Sequence, residues 1–178
     1  PNLDLFTTRF KERMLELQLD IDATVSASGM LLSTALLRNE ILEESEIGDT
    51  LAGLKHADAK IRKATAGFVR AYMDMYLEST QVDESEQTVQ QLKILLTICD
   101  SDQEDDRSYI WVADSMWEQT DALRDWEAMI SLLLYDENDL DDAANRRLVG
   151  LMACSIKKAC GVAIAAGAGS TKLSKKDK

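Results

Sequence analysis

Apolar residues that recur at steps of three and four are the feature of this chain that most restricts its fold. In the first stretch they are Leu3, Phe6, Phe10, Met14 and Leu17. This spacing places side chains on one face of an α-helix, and we expect that face to be buried. The same pattern runs through most of the 178 residues, which contain one proline and eight glycines. The sequence therefore predicts an all-α protein.

Short polar junctions divide the helical pattern into pairs of helices. Asp20 or Asp22 is predicted to cap the second helix of the first pair, and Asp58 that of the second pair. The pairs are expected at about 2–39, 43–78, 84–122 and 124–163. Their period is near the roughly 40 to 47 residues of HEAT and armadillo repeats. We predict a HEAT/armadillo-like α-solenoid segment of about four antiparallel helix pairs over residues 1–163, with a compact helical bundle as the alternative.

Two further expectations concern small residues and the end of the sequence. Ala27, Ser28 and Gly29 should let a neighbouring helix approach the second helix closely. Residues 164–178 are rich in glycine and alanine and then in lysine, which predicts a flexible basic tail or linker. No Gly-Lys-Ser/Thr element is present there, so we do not expect a phosphate-binding loop.

The chain offers few residues for catalysis. His56 is the only histidine and is expected to be a solvated or capping residue. Cys99, Cys154 and Cys160 lie in apolar segments and are expected to be buried thiols in a reducing compartment. The acidic runs precede predicted helices, where carboxylates are favoured as caps. We therefore expect no enzyme activity, cofactor or metal, the alternative being a hydrolase with two carboxyls in a deep pocket.

The charge distribution limits the possible partners. The net charge of -12 disfavours nucleic-acid binding over the whole surface. Five basic residues nevertheless cluster around one predicted helix junction and are candidates for DNA phosphate contacts: Lys55, Lys60, Arg62, Lys63 and Arg70. A merely solvated face is the alternative. No apolar run reaches the roughly 18 residues of a membrane span, so no membrane contact is expected.

Three tryptophans, Trp111, Trp117 and Trp126, lie within two adjacent predicted helices. Tryptophans at such spacing are usually core residues. A partly exposed one would indicate an anchor for a partner.

The tryptophan segment resembles the stromalin (SA/STAG) family of cohesin subunits. The residues that carry the resemblance are 114–117, Leu123, 125–127, Met129 and 131–134. The opening residues Leu3, 5–7 and 9–11 resemble the later part of the family's stromalin conservative domain, and 148–156 resembles the helix after the tryptophan segment. The stretch 43–103 is divergent. Because the chain starts at Pro1, we expect it to be a fragment that runs from the conservative domain onward.

The resemblance implies a non-enzymatic HEAT-repeat scaffold of the cohesin complex, in the nucleus and on chromosomes. Such a scaffold would bind the kleisin subunit and, through it, the SMC ring, and would contact DNA nonspecifically in sister-chromatid cohesion and chromosome organisation. The family's regulator surface accepts Phe- or Tyr-containing peptides from partners such as shugoshin. Phe6, Arg9 and Phe10 match its later half, although the two phenylalanines could instead be plain core. The alternative function is an unrelated HEAT or armadillo adaptor in transport or signalling.

Overall fold

The structure is a computed structural model that describes residues 2–100, 108–134 and 140–165. Within these ranges it contains eight α-helices, three short 3-10 turns and no strand. The helices are α1 (Asn2–Glu16), α2 (Ala23–Arg38), α3 (Glu44–Leu51), α4 (Ala59–Thr80), α5 (Gln87–Ile98), α6 (Ser108–Met116), α7 (Trp126–Leu134) and α8 (Asp142–Ala159). The 3-10 turns are Leu17–Leu19, Ala52–Lys55 and Asp121–Arg124. The predicted all-α fold is confirmed. Of the predicted tail, 164–178, only Ile164 and Ala165 are described; Ile164 packs on the apolar core and Ala165 is buried. Residues 166–178 and the acidic stretches 101–107 and 135–139 lie outside the described residues.

Aspartates begin three of the four second helices. The Asp22 carboxylate accepts hydrogen bonds from the backbone N–H groups of Thr24 and Val25, at 2.7 and 3.2 Å. These two bonds lower the pKa of Asp22. Asp58 caps α4 and Asp141 caps α8 in the same way. The turns predicted from aspartate therefore have a direct physical cause, which is satisfaction of the free N–H groups of the next helix.

The second helices of successive pairs pack on one another in series. α2 packs along α4, α4 contacts α6, and α6 packs on α8. On the other side, α5 contacts α7. The main apolar core runs through this series, from Leu54 and Met73 through Leu92 and Met116 to Leu151. The second, third and fourth pairs thus share one continuous core, as stacked repeats do. Leu37 of α2 packs with Phe68 and Ala71 of α4 in a second, smaller cluster.

Two expectations about burial are wrong. No described side chain of α1 is buried, and Phe6 and Phe10 are 52% and 40% exposed. Within the described residues α1 packs mainly on α2 and on its own C-terminal turn, which leave the phenylalanine face uncovered. Cys160 is also exposed, because it is the residue that ends α8, whereas Cys99 and Cys154 are buried as predicted.

Candidate functional site

The predicted docking residues of α1 form an exposed aromatic pair. Phe6 and Phe10 are one helical turn apart, their ring centroids are 4.7 Å apart, and the ring planes are inclined by 40°. An inclined pair at this distance is a favourable aromatic contact. The alternative in which both rings are core does not agree with their exposure.

Arg9 lies beside this pair. Its guanidinium carbon is 5.8 Å from the Phe10 ring centroid, within the range of a cation–π contact. The neighbouring cations of α1 are paired, Lys11 with Glu46 at 2.9 Å and Arg13 with Glu16 at 2.6 Å. Arg9 makes no hydrogen bond or ion pair anywhere in the described part of the chain. The guanidinium N–H groups of Arg9 are therefore available to a partner. We call Phe6, Arg9 and Phe10 the α1 surface.

Arg62, expected among the DNA-contacting residues, is instead a buried structural residue. Its side chain is 1% exposed, and Nη1 donates to the backbone carbonyls of His56 and Ala57 at 2.8 and 2.7 Å. Its guanidinium carbon lies 5.5 Å from the centre of the Trp111 ring. The backbone carbonyls that follow the Ala52–Lys55 turn thus bind the positive charge. Carbonyl oxygens at a helix C-terminus favour a cation in this way. Arg62 is not available to a phosphate, and that assignment is wrong.

The other four residues of the cluster differ in how freely they could contact DNA. Lys55 donates to the Asp100 carbonyl at 2.9 Å, and Lys60 donates to the Thr24 hydroxyl at 2.7 Å. Arg70 forms an ion pair with Asp74 at 2.9 Å and donates to the Gln119 carbonyl. Lys63 is exposed. Lys60 and Lys63, three residues apart on α4, therefore form the most accessible part of the cluster.

The three tryptophans occupy different environments. Trp111 and Trp117 are half-buried, and the guanidinium of Arg124 lies 4.5 Å from the Trp117 ring centroid. Trp126 is 39% exposed at the start of α7. The next two turns of the same helix also expose a large apolar side chain each, Ile130 and Leu134. Trp126 thus meets the criterion for a partner anchor, whereas the sequence pattern alone predicted core.

His56 has a local structural role. Its Nδ1 accepts a hydrogen bond from the Asp58 backbone N–H at 2.9 Å, at the junction before α4. In the described ranges, no three His, Cys, Asp or Glu side chains are grouped so that they could hold a metal ion. No helix in these ranges has the length and apolar character needed to cross a bilayer.

The family profile and the known proteins that are similar to this chain agree with one another. The profile described as "Cohesin subunit SCC3/SA, HEAT-repeats domain" matches residues 111–178. "Sister-chromatid cohesion protein 3" of Arabidopsis thaliana is 29% identical over 171 residues, which are 90% of this chain and 15% of that protein. "Cohesin subunit SA-1" of Xenopus laevis is 25% identical over 89% of the chain and 14% of its own length. "Cohesin subunit SA-3" of Homo sapiens is 26% identical over 88% of the chain and 14% of its own length.

The chain is similar to the SCC3/SA cohesin subunits along about nine-tenths of its length. It spans about 14 to 15% of the length of these SCC3/SA proteins. The profile covers α7, α8 and most of α6. The tryptophan segment that carries the sequence resemblance is thus inside the SCC3/SA profile, whereas the α1 surface precedes it.

Proposed function

We propose that this segment is a non-enzymatic binding scaffold of the cohesin complex, acting in the nucleus on chromosomes in sister-chromatid cohesion. The observation that carries the proposal is the match of about nine-tenths of the chain to proteins named as cohesin subunits. The stacked helix pairs are consistent with a scaffold role, because a stacked helical array presents extended surfaces.

In this proposal the protein binds the kleisin subunit and, through it, the SMC ring. The test is capture of the tagged protein from nuclear extract, with quantification of kleisin and the ring ATPases. Recovery of both in near-equal amounts supports membership of the complex. Recovery of a transport or signalling complex without kleisin would instead establish the adaptor alternative.

The α1 surface is proposed to bind Phe- or Tyr-containing peptides of regulators such as shugoshin. The exposed rings of Phe6 and Phe10 would pack on the incoming aromatic side chain, and the unpaired Arg9 would donate to the peptide or stack on it. The test is titration of a Phe-motif shugoshin peptide against wild-type protein and Arg9→Glu. We expect Arg9→Glu to weaken binding by at least tenfold, or about 1.4 kcal/mol.

Arg13→Glu is the matched control, because Arg13 is exposed on the same helix one turn away and causes the same change of net charge. Unchanged helicity by circular dichroism in both variants separates a binding effect from unfolding. Equal weakening by the two substitutions would show that only overall charge matters and would remove Arg9 from the site.

DNA contact is proposed for Lys60 and Lys63, with smaller contributions from Lys55 and Arg70. Reversal of the first two charges should weaken DNA binding and reduce the slope of log K against log salt by up to about 2, since each lost phosphate contact contributes about 0.9. The control reverses Arg38 and Lys157, two exposed cations on α2 and α8. The same affinity and slope for both double variants would mean that Lys60 and Lys63 are only solvated.

A further inference from the structure

A groove opens between the second and third helix pairs, where α3, α4 and α5 meet. Its volume is about 330 Å³, within the size range of ligand sites. Three aliphatic, two aromatic and three polar side chains line it: Leu51, Ile94 and Ile98; Tyr72 and Tyr76; and Gln90, Lys93 and Thr97. None of them belongs to the α1 surface or to the basic cluster.

The two tyrosines give the groove an aromatic wall. Tyr72 and Tyr76 are one turn apart on α4, with ring centroids separated by 6.3 Å and planes inclined by 39°. The pKa of Tyr72 is raised, mainly because the phenol is buried and to a smaller extent because of the nearby charges of Tyr76 and Glu44. That shift agrees with a phenol partly withdrawn from water. The rings and the aliphatic side chains of Leu51 and Ile94 together present an apolar surface for one large side chain.

The opposite rim carries a cation without a partner. Within the described residues, neither the Lys93 amine nor the Gln90 amide makes a hydrogen bond or ion pair. Two other described lysines are in ion pairs, Lys11 with Glu46 and Lys158 with Asp114. An unpaired lysine beside an apolar wall favours a carboxylate within reach of its amine. The chain as a whole, with a net charge of -12, repels acidic groups, so the attraction is local to Lys93.

The groove continues along α5 into a second cavity. Lys93 and Thr97 also line a space of about 410 Å³ together with Ala144 and Arg147 of α8. Two carboxylates line it as well, those of Asp100, which pairs with Arg147, and Asp141, so the acidic group of a ligand is expected at Lys93 and not further along α5. The part of α5 from Gln90 to Thr97 is itself about 10 Å long, the length of roughly three residues of extended chain. Two adjoining open cavities form an elongated site, which suits an extended peptide better than a compact small molecule enclosed on most sides.

We propose that this groove binds an extended acidic peptide, which packs an aromatic side chain against Tyr72 and Tyr76 and pairs a carboxylate with Lys93. The Gln90 amide is placed to hydrogen-bond the peptide backbone. The proposal goes beyond the cohesin assignment, because it rests on the geometry of α3, α4 and α5 and on no property of the relatives.

The test uses a fluorescein-labelled peptide with Phe-Asp-Asp in the centre of an uncharged Gly/Ser background, titrated by fluorescence polarisation with the whole chain at low salt. We expect saturable binding that weakens at least tenfold when Phe is replaced by Ala or the two Asp by Lys in the peptide. Lys93→Glu and Tyr76→Ala should weaken binding by a similar factor. Lys157→Glu, which causes the same charge change at an exposed site near the end of α8, should leave binding within twofold of wild type.

Because the α1 surface is also proposed to accept Phe-containing peptides, the binding position has to be mapped directly. The same peptide with benzoylphenylalanine in place of Phe is photo-crosslinked, and the adducts are located by mass spectrometry. Adducts on α4 and α5 that disappear in Lys93→Glu establish the groove.

Adducts confined to α1, unchanged binding in Lys93→Glu, or no saturable binding at millimolar protein would each overturn the groove proposal. Failure to recover kleisin in the capture experiment would leave these measurements unaffected. The cohesin assignment and the groove therefore fail separately.

Discussion

Gly29 of α2 lies directly against the backbone of Gln18: a Cβ on Gly29 would be 2.6 Å from the Gln18 nitrogen. The turn that contains Gln18 is held there by its own hydrogen bonds. The Gln18 carbonyl accepts a hydrogen bond from the Ser26 hydroxyl at 2.6 Å, and the Gln18 side-chain oxygen accepts one from the Thr50 hydroxyl at 3.1 Å. The contact between α2 and the Leu17–Leu19 turn that follows α1 thus depends on the absence of a side chain at position 29.

We expect Gly29→Ala to lower the free energy of unfolding by about 1–3 kcal/mol, because the added methyl group meets backbone atoms that cannot rotate away. Gly67→Ala is the matched control, since Gly67 is also within a helix and a Cβ there meets nothing within 4 Å. The control should be neutral or stabilising by up to about 1 kcal/mol, since alanine is the better helix former. Urea denaturation measures both, and a neutral Gly29→Ala would contradict the tight contact.

The buried charge of Arg62 gives a second stability prediction. Removal of its guanidinium in Arg62→Ala leaves the carbonyls of His56 and Ala57 without their donor and uncovers one face of Trp111. We expect a loss of about 2–4 kcal/mol in the free energy of unfolding. Lys63→Ala, at the next position of α4 but exposed, should change it by less than about 0.5 kcal/mol. Equal small effects of the two substitutions would return Arg62 to the surface cluster.

The burial of Arg62 could not be predicted from the sequence. The three-to-four spacing of apolar residues and the aspartate caps were sufficient to place the helices, because both act between residues close in the chain. The burial of Arg62 depends on carbonyls at the end of the preceding turn and on Trp111 in α6, which is 49 positions away in sequence. A local pattern of Lys60, Arg62 and Lys63 reads as a surface patch unless that distant ring is known.

The α1 surface was predicted from a family resemblance, and periodicity alone indicated the opposite. Phe6 and Phe10 follow the spacing of a buried stripe, but a stripe is buried only if another element covers it. Within the described residues no helix lies over these rings. The same limit applies to Trp126, whose exposure depends on what packs on α7 and not on the tryptophan spacing.

Cysteine reactivity provides a third prediction. Cys160 is exposed, whereas Cys99 and Cys154 are buried and burial raises the pKa of the Cys154 thiol. Since the thiolate is the reactive form, native protein should show one fast-reacting thiol per chain with a disulfide reagent such as Ellman's, and three after denaturation. Cys160→Ser should abolish the fast phase. Two fast thiols in the native wild type would show that α8 opens readily around Cys154.

The ion pair between Lys11 and Glu46, at 2.9 Å, joins α1 to α3 and gives a stability contribution that depends on pH. Burial opposes the charge of Glu46, but the hydrogen bond from the Glu43 N–H and the hydrogen bond and charge of Lys11 outweigh it, so the pKa of Glu46 is lowered. The hydrogen bond from Lys11 to Glu46 is the main cause that raises the pKa of Lys11, against the effect of burial. Each pKa shift therefore favours the charged form of its group.

The signs of the two shifts define the pH range in which the pair stabilises the fold. Because the pKa of Glu46 is lowered, its contribution is present above the ordinary value of 4.5 and is lost as the pH falls through the lowered pKa. Because the pKa of Lys11 is raised, its contribution is present below the ordinary value of 10.5 and is lost as the pH rises through the raised pKa. The difference in free energy of unfolding between wild type and Lys11→Met should therefore be largest, up to about 1 kcal/mol, between these limits and decrease at both ends.

Comparison with Lys11→Met isolates the ion pairs of Lys11, which are the one with Glu46 and a longer one with Glu43 at 3.5 Å. Glu46 also accepts the capping hydrogen bond from the Glu43 N–H at 2.8 Å, and protonation weakens that cap in both proteins. Arg13→Met is the control, since the Arg13–Glu16 pair lies on the same helix but has both side chains mostly exposed, at 80% and 57%. Solvent screens such a pair, and we expect a difference near zero at every pH. If urea denaturation across the pH series gave Lys11→Met the same flat difference as Arg13→Met, the contact between Lys11 and Glu46 would not contribute to holding α1 on α3.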